Sequence, residues 1–144
     1  LGGALAFQHL GGLEPCVLCL YQRWPWGIVI GLAVLAIAAM RLPLARAGLV
    51  LLAGLTLWVG AAIAVFHVGV EQHWWQGTAE CGAAPIDGGD ISAMTDQLLG
   101  TAVVRCDEVA WSLAGLSMAG YNALISLVLG GAALYAGARL MVRR

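Results

Sequence analysis

Ala47–Phe66 reads AGLVLLAGLTLWVGAAIAVF, twenty residues without a charge and with Thr56 as the sole hydroxyl. A helix needs about 20 consecutive apolar residues to cross a bilayer core, so this stretch decides the fold class. Its neighbours repeat the pattern. Trp24–Met40 is an uncharged run with Pro25 early in it, where a missing N–H is least damaging to a helix. Val109–Ala138 carries no charge over its length; the best-centred span within it is 118–137, and its small residues Ala119, Ala123, Gly130 and Gly131 allow close helix contact. The composition agrees. Of 144 residues 61% are hydrophobic and 10% charged, with mean hydropathy +0.87, against roughly 25% charged residues in soluble domains. A chain of this size could not hide so much apolar surface from water.

Residues 1–13 are mostly apolar but too short to cross hydrocarbon. They read as the outer part of a truncated first helix. A signal-peptide remnant is the alternative, since Ala4-Leu5-Ala6 fits a cleavage pattern, but no charged or apolar region precedes it. The expected architecture is an all-α integral membrane protein, a single domain over 1–144. It is a bundle of four transmembrane helices, with spans at 1–13 (partial), 24–40, 47–66 and 118–137.

The charges orient it. There is no lysine, and five of the seven arginines, Arg41, Arg46, Arg139, Arg143 and Arg144, lie in the 41–46 loop and the tail. The positive-inside rule puts that loop and both termini in the cytoplasm. Loops 14–23 and 67–117 then face outward, and they hold all eight acids. Trp24, Trp26, Trp74, Trp75 and Trp111 stand near the outer boundaries as an aromatic belt would. In the larger loop, Ala83–Asp90 is turn-rich. Apolar residues then recur near helical spacing at Ile91, Met94, Leu98 and Val103, the pattern of a short helix lying flat on the membrane, capped by Asp90. Nothing suggests nucleic-acid binding: there is no basic patch.

The cysteines are Cys16, Cys19, Cys81 and Cys106, and all four fall on the outer side of a topology built without them. Thiols outside the cytoplasm tend to become disulfides. One pair per loop is the natural arrangement, although four cysteines allow three connectivities. Cys16-Val-Leu-Cys19 is a C-x-x-C just ahead of a helix, where a thiolate is stabilised. It closes too small a ring to stabilise much as a staple. It is not a haem attachment motif, because Leu20 rather than His follows. A four-cysteine zinc site would want a second close pair, so no metal is expected. Arg23 shares a helical face with Cys16 and Cys19; it serves either as an interface anchor or as a partner for an anionic sulfur or oxygen.

Pro15-Cys16-Val17-Leu18-Cys19-Leu20-Tyr21-Gln22-Arg23-Trp24 resembles the first periplasmic loop of the DsbB family of disulfide-bond-formation membrane proteins. The likeness continues through Phe66–Glu71 and Trp74–Gly77 to Cys81, and again through Cys106–Trp111 to Leu116–Gly120. The resemblance implies an inner-membrane enzyme that reoxidises a periplasmic DsbA-like carrier of thioredoxin fold. It passes the electrons to the membrane quinone pool, ubiquinone or menaquinone. It also implies roles. The carrier attacks Cys81, the released Cys106 exchanges with Cys16, Cys19 meets the quinone, and Arg23 sits beside it. His67 lies near the same helix end and is expected to donate to a quinone carbonyl or to shuttle a proton.

Other polar residues read as incidental. His9 and His73 are given no role, Glu71 and Glu80 read as solvated loop charges, and Trp74 and Trp75 as belt residues. Two rivals stand. A quinone reductase of the vitamin-K-epoxide type also joins cysteine pairs to a quinone, but its C-x-x-C lies near the last helix. A non-enzymatic membrane protein with two structural disulfides is the other.

Overall fold

The structure is a computed structural model that describes residues 1–81 and 104–142. Its helices are α1 (Gly2–His9), α2 (Val17–Tyr21), α3 (Arg23–Ala38), α4 (Pro43–Glu71) and α5 (Met118–Val142). A 3-10 turn at Ala79–Cys81 and a two-stranded hairpin, β1 (Ser112–Leu113) with β2 (Leu116–Ser117), complete the described chain. Gln22 joins α2 to α3 in helical conformation, so Val17–Ala38 forms one 22-residue segment. It, α4 and α5 are each long and apolar enough to cross a membrane.

The buried surface fits lipid rather than water. Over sixteen residues α3 buries only Pro25 and Ala36, while Ile28, Val34, Leu35 and Ile37 stay more than half exposed. In water that would leave a large apolar patch; in hydrocarbon it carries no penalty. What holds such helices together is close packing of small residues. α4 runs along α5 with Gly54 facing Gly130: a Cβ on Gly130 would stand 3.1 Å from the Gly54 carbonyl and 2.4 Å from Trp58. On α3, Pro25 packs over Gly60, leaving 3.0 Å to a Cβ built there.

Several expected boundaries move. The second span begins at Val17 rather than 24, because the C-x-x-C is itself the first turn of the helix. The third span runs 43–71 rather than 47–66. Pro43 opens α4 at the position that suits proline, which puts Arg46 on the helix instead of in the loop. At the other end His67–Glu71 remain helical because they face protein. The last span, set at 118–137, starts where expected and runs on to Val142, carrying Arg139. The stretch before it is a hairpin, turned at Ala114 (φ 50°) and Gly115 (φ 81°), the paired left-handed conformation that tight hairpins need. Of the small residues named for close contact, Gly131 has nothing within 4 Å; Gly54 and Gly137 take that role. The expected first span appears as the eight-residue α1, too short to cross hydrocarbon, so three spanning helices rather than four are found among the described residues. The expected horizontal helix at 91–104, with its Asp90 cap and the preceding turn, lies outside those residues except for Val104.

Candidate functional site

Cys16 is the N-cap of α2: its extended backbone (ψ 167°) turns the chain into the helix, and its sulfur accepts the Cys19 N–H at 3.3 Å. Sulfur here takes the place that serine or aspartate oxygen usually fills, with the positive end of the helix dipole beside it. One turn on, the Cys19 sulfur lies 2.7 Å from that of Cys16. Cys81 and Cys106 are bonded to each other, and Cys16 and Cys19 stand side by side, so the structure pairs the cysteines one pair per loop, as expected.

The two pairs are neighbours. Cys16, Leu18, Val70, Cys81 and Cys106 form one buried cluster, with Cys19 and Val104 packed against it. The Cys106 N–H donates to the Cys81 carbonyl at 3.2 Å. Tyr21, beside the first pair, donates its hydroxyl to Glu80, beside the second, at 2.8 Å. Cys81 is 7% exposed and Cys106 0%, so Cys81 is the sulfur a soluble reagent meets. A groove of about 510 Å³ opens at Cys81 between Trp74, Gly77, Thr78 and the Arg105–Asp107 segment. There the Arg105 guanidinium, 2.9 and 2.6 Å from the two carboxylate oxygens, holds Asp107 down to about 2.

His67 is held between the first cysteine pair and Gln22. It is 3% exposed, and its Nε2 faces the Cys16 sulfur at 3.6 Å. Its Nδ1 takes a 2.7 Å hydrogen bond with the Gln22 side-chain amide. The hydrogen bond from Cys19 holds the Cys16 thiol far below its ordinary range, at about 4; burial opposes this, and His67 lowers it further. Both contacts favour the thiolate form of Cys16.

Glu71 is corrected: one turn beyond His67, it is 8% exposed, bonds the Ser117 hydroxyl and lies 3.9 Å from His67 Nε2. The i, i+4 spacing of His67 and Glu71 was the signal that would have found it, once the helix is known to continue. Trp26 is likewise not a belt residue. Its indole N–H donates inward to Asn122 Oδ1 at 2.8 Å, and Asn122 donates to Gln22 Oε1 at 2.6 Å. Gln22 and Asn122 went unnoticed because their partners lie 45 and 100 residues away in sequence. Trp24, Trp74 and Trp75 stay exposed as expected, and Glu80 stays on the surface.

Beside the cysteines is a cavity of about 590 Å³. Cys16, Cys19, Arg23 and His67 line its polar side, and Phe7 and Trp111, with ring centroids 5.0 Å apart, line its apolar wall. Arg23 reaches α1, donating to Gln8 Oε1 at 2.6 Å, while its buried Nε has no partner. The cavity thus brings together four of the six expected site residues; Cys81 and Cys106 adjoin it through the shared core. Cys16, Cys19 and His67 offer atoms within 4.8 Å of one another. Sulfurs 2.7 Å apart, however, are closer than the roughly 3.8 Å between two thiolates of a tetrahedral zinc site, so the set suits a sulfur–sulfur bond. The bonded Cys81–Cys106 pair removes the four-thiolate alternative.

Three apolar spanning helices with two adjoining cysteine pairs define a multi-pass membrane protein of thiol–disulfide chemistry. The family described as Disulfide bond formation protein DsbB matches residues 1–136. The chain is 34% identical to a Disulfide bond formation protein B of Methylococcus capsulatus over 141 residues, covering 90% of this chain and 80% of that one. It is 33% identical to the protein of that name in Dechloromonas aromatica over 135 residues, 84% and 73% of the two chains. With that of Sodalis glossinidius the match is 36% over 70 residues, 49% of this chain and 39% of the relative's length. No solved structure matches. The chain belongs to the DsbB family.

Proposed function

We propose that this protein is an inner-membrane thiol oxidase that takes two electrons from a soluble thioredoxin-fold dithiol carrier of the DsbA kind and delivers them to a membrane quinone. The observation that carries this reading is the contiguity of four parts: the Cys81 groove, the Cys81–Cys106 disulfide, the Cys16/Cys19 pair and the cavity. Each step along that line is between neighbours. Carrier thiolate attacks Cys81 and the Cys81–Cys106 bond breaks, freeing Cys106. Cys106 thiolate attacks Cys16 and the Cys16–Cys19 bond breaks, freeing Cys19 at the cavity wall. The carrier's second thiolate displaces Cys81 and leaves the carrier oxidised. Cys81 thiolate attacks Cys106 of the Cys16–Cys106 bond, re-forming Cys81–Cys106 and freeing Cys16. The topology that suits this has both cysteine loops periplasmic and the Arg41 turn and the C-terminal arginines cytoplasmic.

The cavity suits a quinone. Its apolar wall of Phe7 and Trp111 fits a flat ring, and the partnerless Arg23 Nε–H is a buried donor in want of an acceptor such as a carbonyl oxygen. A quinone bound there supplies the oxidising power. The chain's own residues do the rest: Cys19 presents its sulfur, Arg23 holds a fixed positive charge, and the aromatic wall keeps water away. Anaerobic incubation of the purified protein with a reduced thioredoxin-fold carrier and a quinone tests the reading. One quinone should be reduced per carrier dithiol oxidised, and none with Cys81→Ser. Quinone reduction that persists in Cys81→Ser, or a carrier that stays reduced with the wild type, would refute it.

A further inference from the structure

The side-chain chain that ends at His67 has only one self-consistent direction. Indole nitrogen is a donor only. Trp26 therefore fixes the atom of Asn122 it meets, 2.8 Å away, as the carbonyl oxygen. The remaining amide nitrogen of Asn122 must then donate to Gln22, at 2.6 Å, which fixes that Gln22 atom as oxygen. Gln22 accordingly turns its own NH2 to His67 Nδ1, at 2.7 Å, and Nδ1 must accept. A neutral imidazole that accepts at Nδ1 carries its proton on Nε2. Nε2 faces the Cys16 sulfur at 3.6 Å and Glu71 Oε1 at 3.9 Å. Both are acceptors, as a protonated Nε2 requires, and the Cys16 sulfur already accepts the Cys19 N–H. A Cys16 thiolate accepts from that proton, so the two ends agree when Cys16 exchanges as a thiolate.

We propose that Trp26, Asn122 and Gln22 are positioning residues that lock His67 as the Nε2–H tautomer, making it a hydrogen-bond donor to the Cys16 thiolate rather than a base that removes the Cys16 proton. This deepens the proposed function and rests on Cys16 exchanging as a thiolate. Its use lies in a balanced step. When Cys81 thiolate attacks the Cys106 sulfur of a Cys16–Cys106 bond, the Cys81–Cys106 bond forms and the Cys16–Cys106 bond breaks. Cys16 leaves with the electron pair. A donor already aimed at that sulfur stabilises the departing charge, and stabilised thiolates leave faster. The charged groups around this pair are Glu71 on α4, Arg23 and Glu14 on the α2–α3 side, and Arg105 and Glu108 from the segment after residue 103.

The test uses the full chain in lipid nanodiscs with Cys16 and Cys19 reduced. Nitrogen-15 NMR of labelled histidine, assigned by loss of a signal in His67→Asn, should show an unprotonated Nδ1 and a protonated Nε2. Asn122→Asp keeps an acceptor for Trp26 but cannot donate, so Gln22 must turn over and offer its oxygen. His67 Nδ1 should then gain a proton. Gln22→Glu forces the same change from the other side and serves if Asn122→Asp does not fold. Where Nε2 loses its proton as Nδ1 gains one, iodoacetamide labelling of Cys16, read by peptide mass against pH, should fall about tenfold at a fixed pH below its midpoint. Where both nitrogens are protonated, labelling should stay near wild type. An unprotonated Nε2 in the wild type, an unchanged Nδ1 in both variants, or labelling that does not follow the Nε2 proton would overturn the proposal. No readout involves a carrier or a quinone, so this result and the electron path stand or fall separately.

Discussion

The two cysteine pairs are built on opposite plans. Cys81 and Cys106 are 25 residues apart, lie outside the spanning helices, and adjoin a groove that Cys81 lines beside Trp74 and the Arg105–Asp107 ion pair. Cys16 and Cys19 are three apart on the first turn of a spanning helix and open to an apolar cavity. The first plan suits a large soluble partner: one sulfur is reachable, and the other is fully covered. The second suits a small lipid-soluble one, because backbone, dipole and side chains are fixed before any ligand arrives. The difference teaches that one protein can serve two solvents by giving each its own pair and packing both pairs into one buried cluster.

The division can be broken at four points. Cys106→Ser should have the largest effect. The variant has no Cys81–Cys106 bond for a reduced carrier to attack, so turnover stops. Its lone Cys81 thiolate attacks the disulfide of oxidised carrier instead, and with no Cys106 to displace the carrier the mixed disulfide is seen on a non-reducing gel, whereas equal accumulation by Cys81→Ser would reverse the assigned order. Arg23→Gln acts at the other end. Loss of a charge-assisted hydrogen bond should slow quinone reduction roughly ten- to a hundred-fold and leave carrier exchange near normal; stopped-flow measurement of each half-reaction separates these, and lysine should rescue only in part. Gly77→Ala is the mirror experiment. Its Cβ would stand 2.9 Å from Cys81 Cβ and 3.1 Å from the sulfur, so carrier exchange should slow about fivefold by overpacking, with quinone reduction from dithiol-state protein unchanged. Tyr21→Phe removes the exposed tie to Glu80 and should slow transfer between the pairs less than about twofold, since exposed hydrogen bonds to carboxylates contribute little.

The spanning helices were legible because hydrocarbon imposes one rule on every residue in them, and a run such as Ala47–Phe66 obeys it. The C-x-x-C and its place at a helix start were legible for the same local reason. What stayed hidden was set by contacts across the bundle. Glu71 and Trp26 looked like a loop charge and a belt residue because charge and amphipathic rings usually mark an interface. Here each has a hydrogen-bond partner on another part of the chain, Ser117 and Asn122. Gln22 gave no signal, since glutamine next to a membrane boundary is ordinary until its two amide atoms are seen to be spoken for. His67 was placed near the right site, but its partners there, Gln22 and Cys16, are set by the fold. The end of α4 moved outward because His67–Glu71 found protein instead of water.

The central claim, that electrons pass through both pairs in order, is tested most directly by one single-turnover experiment. Protein stripped of quinone, with both pairs oxidised, is mixed anaerobically with one equivalent of reduced thioredoxin-fold carrier, quenched in acid and mapped by alkylation and peptide mass. The account predicts an oxidised carrier, an intact Cys81–Cys106 bond and two new thiols at Cys16 and Cys19, with added quinone restoring the Cys16–Cys19 bond. Thiols confined to Cys81 and Cys106, or a Cys16–Cys19 pair that never exchanges, would contradict it.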